Sequence, residues 1–316
     1  MNVLITGAAG QLGHDVAIEL NKRNIKYTGT DIVAPNSNLV LRLGDLVYGE
    51  SKITPSYFQC NLTKESDVKS LFSSDYPDAV IHCAAWTAVD AAEDIENKEK
   101  VHAVNVIGTQ NIANACKEYG CKMMYISTDY VFNGDWTEPW QPDCKEYAPL
   151  NYYGQTKLDG ELTVANTLDK YFIVRIAWVF GKNGNNFVKT MLKLSETHDM
   201  LRVVNDQIGT PTYTPDLARL LVDMIQTEKY GYYHATNDES GEYISWYDFA
   251  CEIFRQAGKD VKVIPVTTEA YGLSKAKRPF NSRLDKSKLE EQGFKKLPNW
   301  KDALHRYLIE TGVIDK

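Results

Sequence analysis

The sequence predicts an α/β fold, a doubly wound parallel sheet with a smaller lobe towards the C-terminus, and three observations carry that prediction. Up to about residue 180 one rhythm repeats: a short apolar run rich in β-branched residues, a Gly, Asn or Asp, then a longer stretch of helical periodicity. The apolar runs do not alternate with polar residues, which marks strands buried on both faces. After Gly181 the rhythm gives way to helices parted by short strands and Pro-containing turns.

In chain order, strands are predicted at 3–6, 27–31, 79–84, 122–127 and 172–178, and later helices near 186–197, 215–226, 245–256 and 300–310. Between 32 and 58 no long helical pattern appears, and Pro35, Gly44, Gly49 and Pro55 interrupt the stretch. Leu39, Leu41 and Leu43 alternate up to Gly44-Asp45, so a small hairpin through Tyr48 is predicted there. No candidate catalytic residue lies in this segment, so it is predicted to be dispensable for chemistry. The division that follows is a first domain of residues 1–180 with a return segment at about 212–235, and a smaller lobe of 181–211 and 236–316.

Composition removes several function classes. Asp plus Glu number 42 against 35 Lys plus Arg, a net charge of -7, and no cluster of basic residues occurs. Nucleic acid and anionic membrane surfaces are therefore excluded as main partners. With no long apolar run, and with Met-Asn-Val-Leu-Ile-Thr-Gly opening the chain, neither a membrane span nor a secretory signal is expected. The six cysteines form no C-x-x-C pair and read as reduced, mostly buried thiols of a cytoplasmic protein. The six histidines lack zinc-ligand spacing, so no metal site is assigned.

Chemistry enters with Gly7-Ala8-Ala9-Gly10-Gln11-Leu12-Gly13, which sits between the first strand and the first helix. Gly7 permits a tight bend, Gly10 lets a pyrophosphate approach the backbone, and Gly13 lets helix and strand pack closely. Asp31 closes the next strand at the spacing where an acid meets an adenosine ribose. The sheet is thereby read as Rossmann-type. Tyr153 and Lys157 form the second motif, four residues apart on one helix face. Two other pairs share that spacing, Tyr48/Lys52 and Tyr271/Lys275, but only Tyr153 opens a convincing helix. A close cation is expected to lower the phenol from its usual value near ~10. Ser127-Thr128-Asp129 ends a buried strand, putting hydroxyls at the carboxyl edge where ligands of open α/β sheets bind.

These motifs, with Tyr130-Val131-Phe132, resemble the extended short-chain dehydrogenase/reductases. Further runs narrow the likeness: Arg175-Ile-Ala-Trp178, Gly184-Asn-Asn-Phe187, Val204-Asn-Asp-Gln207-Ile-Gly-Thr-Pro211 and Arg278-Pro-Phe-Asn281-Ser-Arg283 are similar to the dTDP-4-dehydrorhamnose reductase family. The likeness runs through nearly the whole chain. It implies reduction of the C4 ketone of dTDP-4-dehydro-β-L-rhamnose to dTDP-β-L-rhamnose by NADH or NADPH, within nucleotide-sugar biosynthesis.

The resemblance also implies roles. Tyr153 protonates the alkoxide, Lys157 holds the nicotinamide ribose, and Thr128 hydrogen-bonds the carbonyl oxygen. The dinucleotide lies on Gly7, Gly10, Gln11, Leu12, Gly13, Asp31, Asn61, Leu62, Ala84 and Ala85, with Tyr153 and Lys157. The nucleotide-sugar lies against Thr87, Val89, Asp90, Thr128, Asp129 and Trp178 of the first domain, and against Asn186 and Arg283 of the smaller, substrate-binding lobe. Trp86 reads equally as a packed lid residue and a ligand contact. Trp178 has a rival reading as a core residue closing an apolar strand, Arg283 as a surface partner of Asp285, and Asn105 as a structural residue first. Some family members hold magnesium at a dimer interface, using an acid at the position of Asp15, so a homodimer is allowed and magnesium dependence is left open. The alternatives are a non-catalytic dinucleotide-binding regulatory subunit, and a reductase or epimerase of another nucleotide-4-keto sugar. The joint presence of Thr128, Tyr153 and Lys157 speaks against the first.

Overall fold

A computed structural model describes residues 1–34 and 56–315, so the hairpin predicted through Tyr48 falls outside the described residues, as do Arg42 and Lys52. Its centre is a seven-stranded parallel sheet. Six strands are β1 (Asn2–Thr6), β2 (Lys26–Asp31), β3 (Ser56–Gln59), β4 (Ala79–His82), β5 (Lys122–Thr128) and β6 (Tyr171–Ile176). The seventh, Gly231–His234, returns late in the chain to pair with β6. Across the sheet the order is Gly231–His234, β6, β5, β4, β1, β2, β3. The order reverses between β1 and β4, which opens a crevice at their carboxyl ends.

The absence of alternation in the sequence has the expected cause. In β1, Val3 and Ile5 enter one apolar cluster with helix α1 (Gln11–Lys22) and the Thr214–Ile225 helix. Leu4 points into the other cluster, under the helices Glu65–Asp75, Thr109–Tyr119 and Tyr152–Thr167. A strand sandwiched this way is apolar at every position.

Three expectations on strands are corrected. Ser56–Gln59, read as the end of an insertion, is a sheet strand parallel to β2. As an edge strand it leaves Ser56, Phe58 and Gln59 exposed, so it lacks the apolar run that betrays an inner strand. The 79–84 strand stops at His82, and the 172–178 strand stops at Ile176. Trp178 takes φ 51°, a left-handed turn that sends Val179–Phe180 off to pair with Thr212–Tyr213.

Beyond this turn a further apolar cluster forms around Phe180, Val188, Phe249, Trp300 and Leu304. Its helices are specified locally. Asn186 caps Phe187–Leu194 by accepting from the Lys189 amide at 3.0 Å, and Ser245 with Asp248 makes a reciprocal capping box at the start of Trp246–Gln256. Two small strand pairs, Met200–Val204 with Lys262–Val266 and Ile208–Gly209 with Ile244–Ser245, complete this part.

A buried ion pair sits beneath the sheet. Arg175 on β6 donates from Nε and Nη2 to the two carboxylate oxygens of Glu161, each at 2.8 Å, and both side chains are 0% exposed. The remaining guanidinium protons reach the Pro142 carbonyl at 3.1 Å and the Tyr147 hydroxyl at 3.2 Å. Every charge is thus met inside the core.

Candidate active site

The turn after β1 is built for close approach. Gly7 takes φ 67°, and a Cβ there would lie 2.7 Å from the Ala84 amide nitrogen. A Cβ on Gly13 would lie 2.2 Å from the Gly7 carbonyl oxygen, so helix and strand touch backbone to backbone. Gly10 precedes α1 without any side-chain cap, which leaves the first amides of the helix directed at whatever occupies the crevice. A cavity of about 290 Å³ opens there, walled by Gly7, Gly10, Asp31, Asn61, Leu62, Ala84 and Ala85 together with Cys60, Cys83, Trp86 and others. The cradle fits a dinucleotide pyrophosphate, since Gly7 and Gly10 wall the cavity without side chains and the first amides of α1 carry no side-chain cap.

The Asp31 carboxylate is set at the cavity edge. It accepts from the Ala9 amide at 3.1 Å through one oxygen and from the Ile32 amide at 2.8 Å through the other. His82 fixes the adjoining strand end. Thr109 gives its hydroxyl proton to the Asn105 carbonyl at 2.7 Å, so at 3.1 Å it accepts from His82 Nε2, and His82 Nδ1 then accepts from Thr6 Oγ1 at 2.7 Å. This neutral imidazole is 1% exposed, and burial holds its pKa down at about 3, with Lys157 adding to the effect. The unfolded chain, with its imidazole near ~6.5, binds the proton that the native state refuses. Stability should therefore fall as pH drops from 6.5 towards 3, by up to about 1.4 kcal/mol per unit. The slope of unfolding free energy against pH should be visibly shallower in His82→Gln; equal slopes would remove His82 as the cause.

Thr128, Asp129 and Tyr153 come together at the end of β5. Tyr153 is half-buried and edge-on to Tyr130, with centroids 5.9 Å apart. Thr128 Oγ1 donates to Asp129 Oδ1 at 2.9 Å. Burial raises the Asp129 carboxyl to about 6, against the hydrogen bonds from Ser282 and Thr128. The expected lowering of the phenol is not found. Burial pushes Tyr153 above its usual range, Asp129 adds to this, and the Thr128 hydrogen bond opposes it. Lys157 turns elsewhere: its Nζ donates to the Ile126 carbonyl at 2.8 Å and lies 4.0 Å from the Tyr125 ring centroid. Burial brings Lys157 down to about 7, Glu161 and Cys83 opposing.

Other predicted positions are scattered. Gln11 Oε1 accepts from Asn186 Nδ2 at 3.1 Å, Leu12 is in the core, and neither walls the cavity. Thr87 is exposed and Val89 half-buried. Asp90 is clasped by Arg278 at 2.6 Å and by the Ala276 amide at 3.0 Å. Trp178 is half-buried and stacked on Trp246 at 3.8 Å, so it does not close an apolar strand. Arg283 donates to Asn281 at 3.0 Å, while Asp285 accepts from Ser287; the pairing of Arg283 with Asp285 is replaced by these local turns. Asn105 joins the Trp86 backbone to Thr156, through bonds of 2.8 and 3.0 Å. Arg278 and Trp246 had no role in the sequence reading, and only the place of Arg278 in a recognisable run marked it.

A family model described as the RmlD substrate binding domain matches residues 1–312. The chain belongs to the dTDP-4-dehydrorhamnose reductase family. The dTDP-4-dehydrorhamnose reductase of Aggregatibacter actinomycetemcomitans is 36% identical over 313 residues, 96% of this chain and 96% of that one. The spore coat polysaccharide biosynthesis protein SpsK of Bacillus subtilis (strain 168) is 37% identical over 308 residues, 98% of this chain and 97% of the other. A crystal structure of dTDP-4-dehydrorhamnose reductase from Bacillus anthracis str. Ames, in complex with NADP, has TM-score 0.84 at 38% identity and covers 98% of this chain and 99% of that chain. In this family member the glycine cradle, the Asp31 carboxylate and the Thr128–Tyr153 hydroxyls share one sheet edge. Asp15 is buried beside His14. Among the described residues no group of three or more His, Cys, Asp or Glu side chains could hold a metal ion, and none of the helices is long and apolar enough to cross a membrane.

Proposed function

We propose that this protein reduces the C4 ketone of dTDP-4-dehydro-β-L-rhamnose to dTDP-β-L-rhamnose with a nicotinamide dinucleotide. The observation that carries the reading is the meeting of two hydroxyls, Thr128 at the end of β5 and Tyr153 at the start of the Tyr152–Thr167 helix, at the sheet edge that also holds the glycine cradle. When bound, the dinucleotide supplies the hydride. The chain supplies the proton and the positioning. Reduction leaves an alkoxide that must be protonated, and a phenol whose pKa is raised by burial stays protonated through the neutral range. The raised value therefore suits Tyr153 to donating. Thr128 donates to the same substrate oxygen once its proton turns from Asp129, and steadies the developing charge. Gly7, Gly10, Asp31, Asn61, Leu62, Ala84 and Ala85 hold the dinucleotide, and Lys157 holds its ribose once it releases the Ile126 carbonyl. Residues 1–180 with the return at about 212–235 act as the dinucleotide half, and 181–211 with 236–316 as the substrate lobe. The test is oxidation of NADH or NADPH with the keto-sugar generated in place, the product identified by mass and NMR. Tight dinucleotide binding without turnover would instead favour a non-catalytic binding subunit.

Cofactor preference follows from Asp31. Its carboxylate accepts hydrogen bonds from a ribose 2′-OH but repels a 2′-phosphate, and no Lys or Arg is among the described residues walling the cavity. NADH should be used at least as well as NADPH in steady-state kcat/KM. A tenfold preference for NADPH, about 1.4 kcal/mol, would mean that a cation outside the described residues covers the phosphate. The NADP in the Bacillus anthracis relative makes this comparison informative.

A further inference from the structure

At the end of the sheet remote from Thr128, the Thr109–Tyr119 helix stops at Gly120, which takes φ 71°. The amides of Gly120 and Cys121 both bond back to the Cys116 carbonyl, the latter at 3.0 Å. This reversal brings the side chain after the glycine onto the side chain four residues before it, a place usually filled by an apolar contact. Here both residues are cysteines. Cys116 is 0% and Cys121 4% exposed, and both belong to one buried apolar cluster against the sheet. Both also wall a surface pocket of about 310 Å³, with Lys117, Ala165, Asp169 and Lys170 among its other residues, so a small oxidant has a route to them.

We infer that Cys116 and Cys121 form a reversible dithiol–disulfide site that pins the end of the Thr109–Tyr119 helix to the start of β5 when a peroxide is present. Cys121 is the attacking sulfur. The neighbouring Cys116 thiol holds the Cys121 thiol below its ordinary value, while burial holds Cys116 well above. The Cys121 thiolate attacks one peroxide oxygen, the O–O bond breaks, and hydroxide leaves, giving a sulfenic acid. The Cys116 sulfur then attacks the Cys121 sulfur, its proton leaves with the hydroxyl as water, and the S–S bond forms. The two thiols lose two electrons, hydrogen peroxide takes them, and two waters result. A dithiol reductant reverses the change by exchange.

The site is tested on the intact protein with limiting hydrogen peroxide and dimedone, a trap for sulfenic acids, followed by tryptic digestion and mass spectrometry. Cleavage after Lys117 separates the cysteines, so the disulfide appears as a dithiothreitol-sensitive cross-link between peptides 101–117 and 118–122. That cross-link should form before any oxidation of Cys144 or Cys251, which are more exposed. In Cys116→Ala the sulfenic acid has no resolving thiol, and dimedone labelling of peptide 118–122 should rise several-fold over wild type. The inference is overturned if Cys144 and Cys251 are consumed with no 101–117/118–122 cross-link. Equal dimedone labelling in wild type and variant overturns it too. Should the variant fail to fold, the wild-type cross-link decides alone.

Discussion

Tyr153→Phe is expected to cut turnover by about 10²-fold or more while leaving the fold and dinucleotide affinity nearly unchanged. The substitution removes one oxygen and its proton and keeps the ring that meets Tyr130 edge-on. Thr128 keeps its bond to Asp129, so the neighbouring hydroxyl stays in place to orient the ketone. What is lost is the donor to the alkoxide, and water is a poorly placed substitute. Measured kcat should fall with dissociation constants for NADH unchanged within about twofold. A variant within a few-fold of wild type would show that another group gives the proton, and Asp129, raised to about 6 by burial, would be the next residue to replace.

The second large effect concerns stability. Arg175→Met should destabilise the protein by about 3–5 kcal/mol, because it strands the Glu161 carboxylate in a site with no access to water. It also releases the Pro142 carbonyl and the Tyr147 hydroxyl. Replacing both partners, Arg175→Met with Glu161→Leu, should recover much of that loss, since the desolvated charge disappears with its counter-ion. Urea unfolding of the two variants decides the matter. A single variant within about 1 kcal/mol of wild type would mean that Glu161 takes up a proton or finds Lys157 as a new partner.

These two residues also show what a sequence displays and what it hides. The inner strands were legible because burial on both faces writes itself as an uninterrupted apolar run. The glycine cradle was legible because its parts lie within seven consecutive residues, Gly7 to Gly13. Arg175 was visible only as a letter in a family-like run, inside the apolar stretch that predicted β6; nothing local says that its charge turns into the core to meet Glu161. The Asp90–Arg278 clasp joins residues 188 positions apart, a distance over which periodicity carries no information. Asn186, expected to contact the nucleotide-sugar, also caps a helix, a role that its place just before Phe187-Val188 permits on sequence grounds. The phenol was expected to be lowered by a nearby ammonium because spacing fixes the shared helix face but not the side-chain direction. Lys157 points at the Ile126 carbonyl.

The strand Gly231–His234 has a consequence for synthesis. It pairs with β6, yet it is made only after the chain has passed through 181–211 and the Thr214–Ile225 helix. While the chain emerges from the ribosome, β6 is an open edge, with a row of amides and carbonyls unmatched until residue 234 is available. The nascent chain must shield that edge or hold β6 back for the time needed to make more than fifty further residues, from Ile176 to Gly231. A stop codon anywhere in that interval would release a polypeptide with a strand-pairing template exposed, so nonsense variants in the middle of the gene should yield aggregates where an autonomous nucleotide-binding fragment would otherwise be sought.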